Sequence, residues 1–571
     1  MVLMAGSPRF LQRPYHRGNL MEPLRVIPLG GLGEFGLNMM LLEYGKSAIA
    51  IDCGLMFPGA DLLGIDLVIP DVNYLLEKKK TLHGIVLTHA HEDHIGALPY
   101  ILRQLAVPIF GTRLTLGLLR NKLREHSLDR TADLREITAG HVWELAPFKL
   151  EGIRVTHSLM DCLALAVETP LGTVIHTGDF KIDHTPMDGE LFDFQRFAAY
   201  GEKGVLLLLS DSTNVEREGY TPSEREVGRN LEEIFLASCG RVFVATFSSN
   251  IPRIQQVADL SERFGRRLVL SGRSMINNTQ IASDLGYLHL PRGVINESER
   301  WQDLARNQVA FLTTGSQGEP LSVLHRVALD DHKTIKIERG DTVVLSSKFI
   351  PGNEKTITNL INHLYRRGAE VHYEKVSEIH VSGHASQEEL KTMLQLTRPR
   401  YFVPIHGEYR HLVRHIQLAQ KVGVPAENCF LLEDGEVLEL TSNDAGKVEP
   451  VSAGRVFVDG RGVGDVEDVV IRDRRHLSED GMVLAVMAIH QQTGELVAGP
   501  DLISRGFMRA EEGEEVLEQA KKVVLETLRN INRETRTDPA ELQEEVRKAL
   551  RRYFNKTLER HPVVLPFIME T

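Results

Sequence analysis

The amino-acid sequence predicts an α/β protein of several domains. Its 571 residues exclude a single small module, because one domain usually takes about 100 to 200 residues. Apolar residues make up 42% of the chain, which is enough for large hydrophobic cores. Short apolar runs broken by Gly, Pro and Asp over residues 24–200 indicate the strands of a mixed sheet. Alternating helix and strand patterns over residues 223–381 indicate a parallel sheet with crossover helices.

Changes in these patterns set the domain bounds that we expect. The first 20 residues carry three arginines with no continuous apolar segment behind them, so they lack the centre of a secretory signal. The expected bounds are 1–20 for a flexible tail, 21–222 and 385–440 for the two parts of a strand-rich domain, 223–384 for an α/β domain inserted into it, 441–451 for a polar linker and 452–571 for a small C-terminal α/β domain.

The C-terminal domain is predicted to begin with strands and to end with helices. Strands are expected at residues 468–473 (DVVIRD) and 482–490 (MVLAVMAIH). Asp538 and Pro539 have the N-cap and first position of a helix, with Glu541 as the acid at its third position. We expect the apolar face of this helix to pack on its own sheet in preference to a partner protein. This face consists of Leu542, Val546, Leu550 and Phe554.

The cysteines, the net charge and the apolar runs indicate which classes of protein the sequence excludes. No two cysteines form a CxxC pair, which argues against disulfides and a cysteine zinc site and favours the reducing cytoplasm. The net charge of −12 argues against binding nucleic acid by excess Lys and Arg alone, although an enzyme can hold its cationic charge locally or as metal ions. The longest strongly apolar run, residues 205–209, is far shorter than the roughly 18 residues of a membrane span, so no membrane partner is expected.

The strongest chemical signal is the segment THAHEDH over residues 88–94, between an apolar strand and a helix predicted from Ile95 to Gln104. In an extended segment the side chains of His89 and His91 point the same way. The turn into the helix then brings Asp93 and His94 to a position beside them. Two adjacent pairs of ligands suit two metal ions, because clustered His and Asp at a strand end are typical of metal sites. The alternative is a solvated polar turn.

Further ligands are expected at the ends of other strands. His157, Asp179 and His406 each stand where an apolar run stops. A single histidine at such a place is usually structural, but together with the first motif these residues indicate a metal site with two ions. Asp52 ends another strand and is expected to orient a ligand rather than to bind the metal itself.

A competing motif is GLGEFG over residues 31–36, which matches the dinucleotide-binding pattern GxGxxG. That function requires a helix directly after the glycines. The following residues read instead as two strands of a hairpin around Gly45 and Lys46, so we expect the glycines to allow close backbone approach beside the metal site.

Together these residues resemble the metallo-β-lactamase superfamily, and the inserted domain resembles its β-CASP nuclease branch. The branch is marked by an acidic motif, here Asp211-Ser212-Thr213, and by a histidine motif, here residues 382–386 (SGHAS). The resemblance extends from about Leu24 to the end and is closest to ribonuclease J, a bacterial family. It implies an αββα sandwich that carries the β-CASP insertion and a small C-terminal domain. A histidine at the position of His406 resembles the RNA-acting members of the branch.

The resemblance also implies a ligand set. One metal would be held by His89, His91 and His157, and a second by Asp93, His94 and His406, with Asp179 bridging the two. Nitrogen and carboxylate ligands without thiolate favour two zinc ions per chain, with manganese as the alternative. A structural divalent cation near Asp66 and Asp459 is a further expectation.

The segment over residues 380–386 (HVSGHAS) is expected to bind the phosphates of the substrate. Its small residues let backbone N–H groups approach an anion, and its hydroxyls and histidines add donors; the alternative is a structural turn. The expected substrate-binding residues are His380, Val381, Ser382, Gly383, His384 and Ser386. The resemblance further implies that the catalytic residues are Asp93, Asp211 and His384, the last beside the scissile phosphate.

The resemblance implies a ribonuclease that acts from the 5′ end, prefers a 5′-monophosphate and also cuts internally, in mRNA decay and rRNA maturation. The expected partners are single-stranded RNA, a second copy bound through the C-terminal domain and an RNA-degradation complex. One alternative is a hydrolase of small substrates, which the insertion of about 160 residues argues against. Another is a silent assembly subunit, which missing ligands would favour, and none is missing.

Overall fold

The computed structural model describes residues 21–571 except 60–61, 78–80, 350–352, 375, 461, 467 and 509. The tail expected over residues 1–20 lies outside the described residues. The described residues form two compact units, the larger within 21–57 and 67–456, the smaller within 58–66 and 457–571. The sequence did not indicate that residues 58–66 belong with the C-terminal residues. The bounds of the domains within the larger unit remain those that we propose from the sequence.

Two mixed sheets of the larger unit share one hydrophobic core. In spatial order the described strands of the first sheet are Ala445–Val448, Val437–Leu440, Leu24–Gly30, Met39–Tyr44, Ser47–Ile51, Thr81–Val86, Ile109–Gly111 and Leu134–Glu136. Those of the second sheet are Tyr401–Ile405, Val205–Asp211, Gly172–His176, Leu163–Thr169, Phe148–Arg154 and Val142–Leu145. A short ladder joins Leu32–Gly33 to Gly407–Glu408, and Leu67–Pro70 is a further strand.

The helices that accompany these sheets come mostly between strands. They are Asn73–Glu77, Glu92–Ile95, Leu98–Ile101, Arg113–Glu125, Phe194–Lys203, Gln387–Thr397 and Tyr409–Lys421, with a 3₁₀ turn at Ala426–Asn428. In each sheet a few neighbouring strands run parallel, so their carboxyl ends reach the same edge. That edge is where the chain turns into the histidine-rich and aspartate-rich segments.

The inserted region has the parallel sheet that the sequence predicts. Its described strands are Ile295–Asn296, Arg267–Ser271, Val309–Thr313, Val242–Ala245, Thr342–Leu345 and Glu370–His372 in spatial order, and all neighbouring pairs are parallel. Its helices are Glu224–Ala237, Ile251–Arg263, Arg273–Asp284, Val323–Leu329 and Glu354–Arg366, with a 3₁₀ turn at Arg306–Gln308. This sheet has a separate hydrophobic core.

The C-terminal residues form a layer of helices on a sheet. The described strands are Leu496–Arg505, Met482–Ile489 and Val563–Glu570 in spatial order, preceded by a hairpin of Arg455–Asp459 and Gly462–Val463. The helices are Asp468–Asp480, Ala510–Asn530, Arg533–Thr537 and Pro539–Leu558. Asp538 accepts hydrogen bonds from the N–H groups of Ala540 and Glu541, which confirms the predicted helix start. The apolar face of this helix is fully buried in the core of its own unit, so it packs as expected.

Three sequence predictions of secondary structure are wrong. The helix expected from Ile95 to Gln104 is divided in two, because Pro99 has no N–H to donate to the carbonyl four residues earlier. The strand expected at residues 468–473 is the start of a helix, since a short apolar run does not distinguish the two. The linker expected at 441–451 contains Ala445–Val448, the edge strand of the first sheet.

Among the helices of the described residues, none combines the length and the apolar composition that a membrane crossing requires.

We predict that Phe554→Ala destabilises the C-terminal helices, because the ring is fully buried and its removal leaves a cavity that costs about 3 to 5 kcal/mol. Amide hydrogen exchange over residues 539–558 should become roughly a hundredfold to a few thousandfold faster. Leu477→Ala is the control, because that side chain is 41% exposed on a helix of the same unit. Equal exchange in the two variants would contradict the assignment of the core.

Candidate metal centre

The carboxyl ends of parallel strands from both sheets bring most of the predicted ligands together, and His157 follows the antiparallel strand Phe148–Arg154. In the first sheet Ser47–Ile51 pairs with Thr81–Val86, and the chain continues from them to Asp52 and to residues 88–94. In the second sheet the parallel strands ending at residues 176, 211 and 405 lead to the other predicted carboxylates and to the histidine at 406. Residues far apart in sequence therefore meet at one place because the strands that carry them are in register.

Two glycines allow the chain to pack closely against predicted ligands. A Cβ atom on Gly54 would overlap the carbonyl of Asp93, and a Cβ on Gly383 would overlap the ring of His157. Neither position can accept a larger residue without moving a predicted ligand.

The first group of ligands is made by His89, His91, His157 and Asp179, whose donor atoms all lie within 4.8 Å of one another. His91 Nδ1 lies 3.0 Å from His89 Nε2 and 3.1 Å from His157 Nε2. Asp179 Oδ2 lies 3.7 Å from His89 Nε2 and 3.9 Å from His157 Nε2. Three imidazole nitrogens thus converge with one carboxylate oxygen.

The second group is made by Asp93, His94, Asp179 and His406. Asp179 Oδ2 lies 3.2 Å from His94 Nε2 and 3.5 Å from His406 Nε2. Asp93 Oδ2 lies 3.2 Å from His406 Nε2 and 3.7 Å from His94 Nε2. The same oxygen of Asp179 faces both groups, which is the position required of a bridging ligand.

The outer nitrogen of each of four histidines is held by an oxygen atom. His94 Nδ1 donates to Asp52 Oδ2 at 2.8 Å, and His157 Nδ1 donates to the carbonyl of Gly383 at 2.6 Å. Thr88 Oγ1 donates a hydrogen bond to Asp52 and lies against His89 Nδ1. Thr213 Oγ1 likewise donates to Asp211 and lies against His406 Nδ1. Because each hydroxyl donates its proton to a carboxylate, it accepts a hydrogen bond from the histidine ring. Each Nδ1 thus carries a proton, which leaves Nε2 of the same ring facing the centre.

A third group lies beside these and contains Asp211 and His384. Asp211 Oδ2 accepts a hydrogen bond from His384 Nδ1 at 2.8 Å, and its other oxygen accepts from the N–H and hydroxyl of Thr213. Burial by itself would raise the pKa of Asp211, but the charge and hydrogen bond of His384 lower it. The His384 side chain is 19% exposed, so the ring can reach a molecule in the cleft.

Comparison with known proteins identifies the family. Residues 32–216 match the family described as "Metallo-beta-lactamase superfamily", and residues 239–364 match "Ribonuclease J, beta-CASP domain". Residues 368–431 match "Zn-dependent metallo-hydrolase RNA specificity domain", and residues 469–571 match "Ribonuclease J C-terminal domain". Ribonuclease J of Thermus thermophilus is 42% identical over 566 residues, which cover 97% of this chain and 96% of the relative. The chain belongs to the ribonuclease J family.

Other relatives agree with this membership. Ribonuclease J2 of Bacillus subtilis is 40% identical over 549 residues, covering 96% of this chain and 99% of that protein. A crystal structure of an Enterococcus faecalis protein of unknown function covers 73% of this chain with a TM-score of 0.51 and 17% identity, and at that identity it supports the fold alone. The fold expected from the sequence is confirmed: a metallo-β-lactamase domain with a β-CASP insertion and a C-terminal ribonuclease J domain.

The donor set of this ribonuclease J family member fits divalent metal ions. Burial lowers the pKa of His89 and His157, and it lowers the pKa of His91 to about 4, so these rings stay neutral and can act as ligands. Burial by itself would also lower the pKa of His94 and of His406. Nearby carboxylates, above all Asp179, instead raise the pKa of His94 and raise that of His406 to about 9. The second group therefore attracts positive charge, which protons or a cation can supply.

Several predicted substrate-binding residues are engaged within the protein. Ser382 Oγ accepts from Asn214 Nδ2 at 2.7 Å, and Ser386 Oγ lies 2.9 Å from the hydroxyl of Thr221. Both serines and Val381 are buried. These side chains hold the shape of the segment, and His384 is the side chain that it presents beside the metal ligands.

The structural cation expected near Asp66 and Asp459 is not supported. Asp459 Oδ2 accepts a hydrogen bond from Arg474 at 2.5 Å, and Asp66 Oδ2 accepts one from the N–H of Gly460. The carboxylate of Asp459 is thus already paired with a guanidinium group. The groups of metal-binding side chains found among the described residues do not include either aspartate.

The glycine-rich motif is not a dinucleotide site, since a hairpin follows it and not a helix. Its Phe35 ring lies 6.1 Å from the ring of His406, so the loop adjoins the centre as expected. Sequence reasoning missed Asn38, whose amide donates to the carbonyl of Asp93 and lies 3.2 Å from His94 Nε2. It also missed the contact of Thr213 with His406, although the motif containing Thr213 was recognised.

We predict that Asp52→Asn weakens metal binding by about 10- to 100-fold, the usual effect of losing a partner of a ligating histidine. The amide keeps an oxygen for the N–H of Thr88 but presents a donor where His94 needs an acceptor. Asn also tolerates the left-handed backbone at this position, where φ is 62°. Competition with a chromophoric chelator measures the change, and Asp188→Asn, on an exposed loop, is the control. Unchanged affinity would show that Asp52 does not orient His94.

Proposed function

We propose that this chain is a metal-dependent ribonuclease that hydrolyses RNA phosphodiesters. The observation that carries the proposal is the pair of ligand groups sharing Asp179 Oδ2, directly beside the His384–Asp211 pair. The names of its relatives and the description of the family matched by residues 368–431 support RNA as the substrate.

The metals that we propose are two zinc ions per chain, with manganese as the alternative, because the ligands are nitrogen and carboxylate oxygen without thiolate. Two cations bound there would lower the pKa of a water molecule and offset the charge that develops on the phosphate oxygens. One cation would be held by His89, His91 and His157. The other would be held by Asp93, His94 and His406, and Asp179 would contact both cations. No nucleophilic side chain is needed.

His384 acts on the substrate itself in this proposal. Its Nδ1 atom is held by Asp211, so the ring keeps one orientation and Nε2 is left to face the phosphate. From there it steadies the negative charge or gives a proton to the departing oxygen. Asp93 completes the proposed catalytic residues through its contact with His406.

A 5′-monophosphate end fits the surroundings of the segment at residues 380–386. Burial lowers the pKa of His380, and four neighbouring cations lower it further: Arg253, Lys181, Lys348 and Arg217. Arg253 and Lys181 are paired with buried carboxylates, so we expect Lys348 and Arg217 to be the cations that attract phosphate despite the net charge of −12 for the chain. We propose 5′-to-3′ exonuclease action that prefers a monophosphate, together with internal cleavage, in mRNA decay and rRNA maturation.

The remaining proposals concern location and partners. The four cysteines are free, in keeping with the cytoplasm. The proposed partners are single-stranded RNA, a second copy of the chain and an RNA-degradation complex.

The outer face of the C-terminal sheet exposes Leu565, Phe567 and Met569 in one row along the last strand. An apolar row of this kind favours self-association.

We propose that a pocket beside residues 380–386 holds one terminal phosphate. We predict that 5′-monophosphorylated RNA is degraded from its end faster than the same RNA with a triphosphate, because the larger end would not fit such a pocket. The assay compares RNA labelled at the 5′ end with RNA labelled internally, with and without a chelator. The chelator and His91→Ala should each stop hydrolysis. Equal rates on both ends would exclude the pocket, and activity without metal would exclude the two-metal reaction.

We predict that His384→Ala lowers kcat by roughly 100-fold or more, the range for losing a positioned acid–base group. Bound metal, measured by mass spectrometry, should stay unchanged because His384 is not a proposed ligand. His372→Ala is the control, since this half-buried histidine of the inserted domain faces Ser377 and Glu370. A normal kcat in His384→Ala would remove the proposed role.

We predict that replacing Phe567 and Met569 together by Glu shifts the chain from dimer to monomer in sedimentation equilibrium at micromolar concentration. A carboxylate that becomes buried in an apolar interface weakens association, whereas the same carboxylate on a surface in contact with water does not. Leu321→Glu is the control, because Leu321 is the most exposed of the large apolar side chains described. A variant that stays dimeric would place the interface elsewhere.

A further inference from the structure

Four charged side chains are buried where the segment after Asp179 meets the inserted domain. They are Lys181, Asp183, Glu224 and Arg253, which we call the buried ion network. Lys181 Nζ lies 3.5 Å from Asp183 Oδ2 and 3.9 Å from Glu224 Oε1. Glu224 Oε2 accepts a hydrogen bond from Arg253 Nη2 at 2.5 Å. Each of the four is at most 3% exposed, so solvent hardly screens these charges.

One end of the network is bound to the backbone beside two proposed metal ligands. Lys181 follows Asp179 by two residues and exchanges two hydrogen bonds with Thr156, which directly precedes His157. The N–H of Asp183 donates to the hydroxyl of Thr156 at 3.0 Å. The network is therefore fixed with respect to the metal centre.

The other end of the network holds the segment at residues 380–386. Arg253 Nη1 donates to the carbonyl of Ile379 at 2.7 Å, and the hydroxyl of Ser346 donates to the same carbonyl at 2.6 Å. Ile379 directly precedes this segment, in which the carbonyl of Gly383 accepts from His157. Arg253 thus fixes the start of the segment that presents His384.

Stability alone does not account for this arrangement. Burying a charge costs several kcal/mol per ion, and apolar residues of similar size often replace buried ion pairs without loss of stability. Within the described residues, three buried atoms at this place have no hydrogen-bond partner: Glu224 Oε1, Arg253 Nε and His380 Nδ1. A network that is only partly satisfied contributes less to stability than an apolar core would.

We propose that Arg253, held by Glu224, is a positioning residue that sets the place of His384 relative to the metal ligands. The forked guanidinium reaches Glu224 and the carbonyl of Ile379 at once, which a lysine ammonium cannot do in the same geometry. This proposal rests on the proposed ribonuclease function for its kinetic readout and not for its structural one.

The test uses the full chain with bound metal and three variants. Arg253→Met alone leaves Lys181 as the one cation of the network beside two buried carboxylates, Asp183 and Glu224, and is expected to lower the melting temperature. Arg253→Met combined with Glu224→Met removes one positive and one negative charge, leaves Lys181 paired with Asp183, and is expected to restore it. Arg253→Lys keeps the positive charge but not the fork, so it separates positioning from the electrostatic attraction of phosphate.

For the double variant and for Arg253→Lys we expect kcat on 5′-phosphorylated RNA to fall about tenfold or more, with melting temperature and bound metal as in the parent chain. Amide hydrogen exchange over residues 379–386 should become about tenfold faster, while exchange in the strand Val205–Asp211 stays unchanged. A stable double variant with the parent kcat and unchanged exchange would overturn the proposal.

The remaining outcomes are also decisive. If the double variant does not fold, Arg253→Lys decides, and a parent-like kcat and exchange in that variant overturns the proposal. If the parent chain does not cleave RNA, the proposed function fails, and the exchange over residues 379–386 still decides whether Arg253 positions the segment. Faster exchange in both variants would support it in that case.

Discussion

The organisation of the site depends on one buried carboxylate. Asp179 presents the same oxygen to both groups of histidines, so neither group is complete without it. A carboxylate at this depth is stable only with positive charge near it, because burial raises its pKa, whereas His406, His94 and His384 lower it. The same requirement for positive charge makes the place suitable for divalent cations.

The two sheets meet this requirement through their topology. Parallel strands end at a common edge, and the strand pairs in both sheets place their last residues side by side. The ligands themselves sit on the short turns beyond these ends, where His406 and Asp52 adopt left-handed backbone conformations with φ of 55° and 62°. Rigid strands thus carry strained turns, and the hydrogen bonds of Asp52 and Thr213 hold the rings in place.

The segment that follows the inserted parallel sheet contributes directly to the site. The carbonyl of Gly383 accepts a hydrogen bond from His157 Nδ1, and His384 Nδ1 donates to Asp211. Gly383 and His384 lie after residues 239–364, which match the β-CASP domain, and within residues 368–431, which match the RNA specificity domain. This segment therefore contacts one proposed metal ligand and supplies one residue of the proposed catalytic pair. The inserted sheet itself has a separate hydrophobic core.

The sequence by itself determined the α/β class, the inserted parallel sheet and the residue types that converge at the centre. It did so because His and Asp at strand ends and alternating apolar patterns are local features. It did not determine the break of the helix after Ile95, the helix at Asp468–Asp480 or the edge strand Ala445–Val448. Short apolar runs carry too little local preference to decide between helix, strand and loop.

Only the tertiary structure decided which oxygen atom holds each histidine and that Arg474 pairs with Asp459. It also revealed the contacts of Asn38 and of the buried ion network. These contacts join residues separated by tens to hundreds of positions. Their energies depend on burial and on the exact distance between partners, and neither quantity exists until the chain is folded.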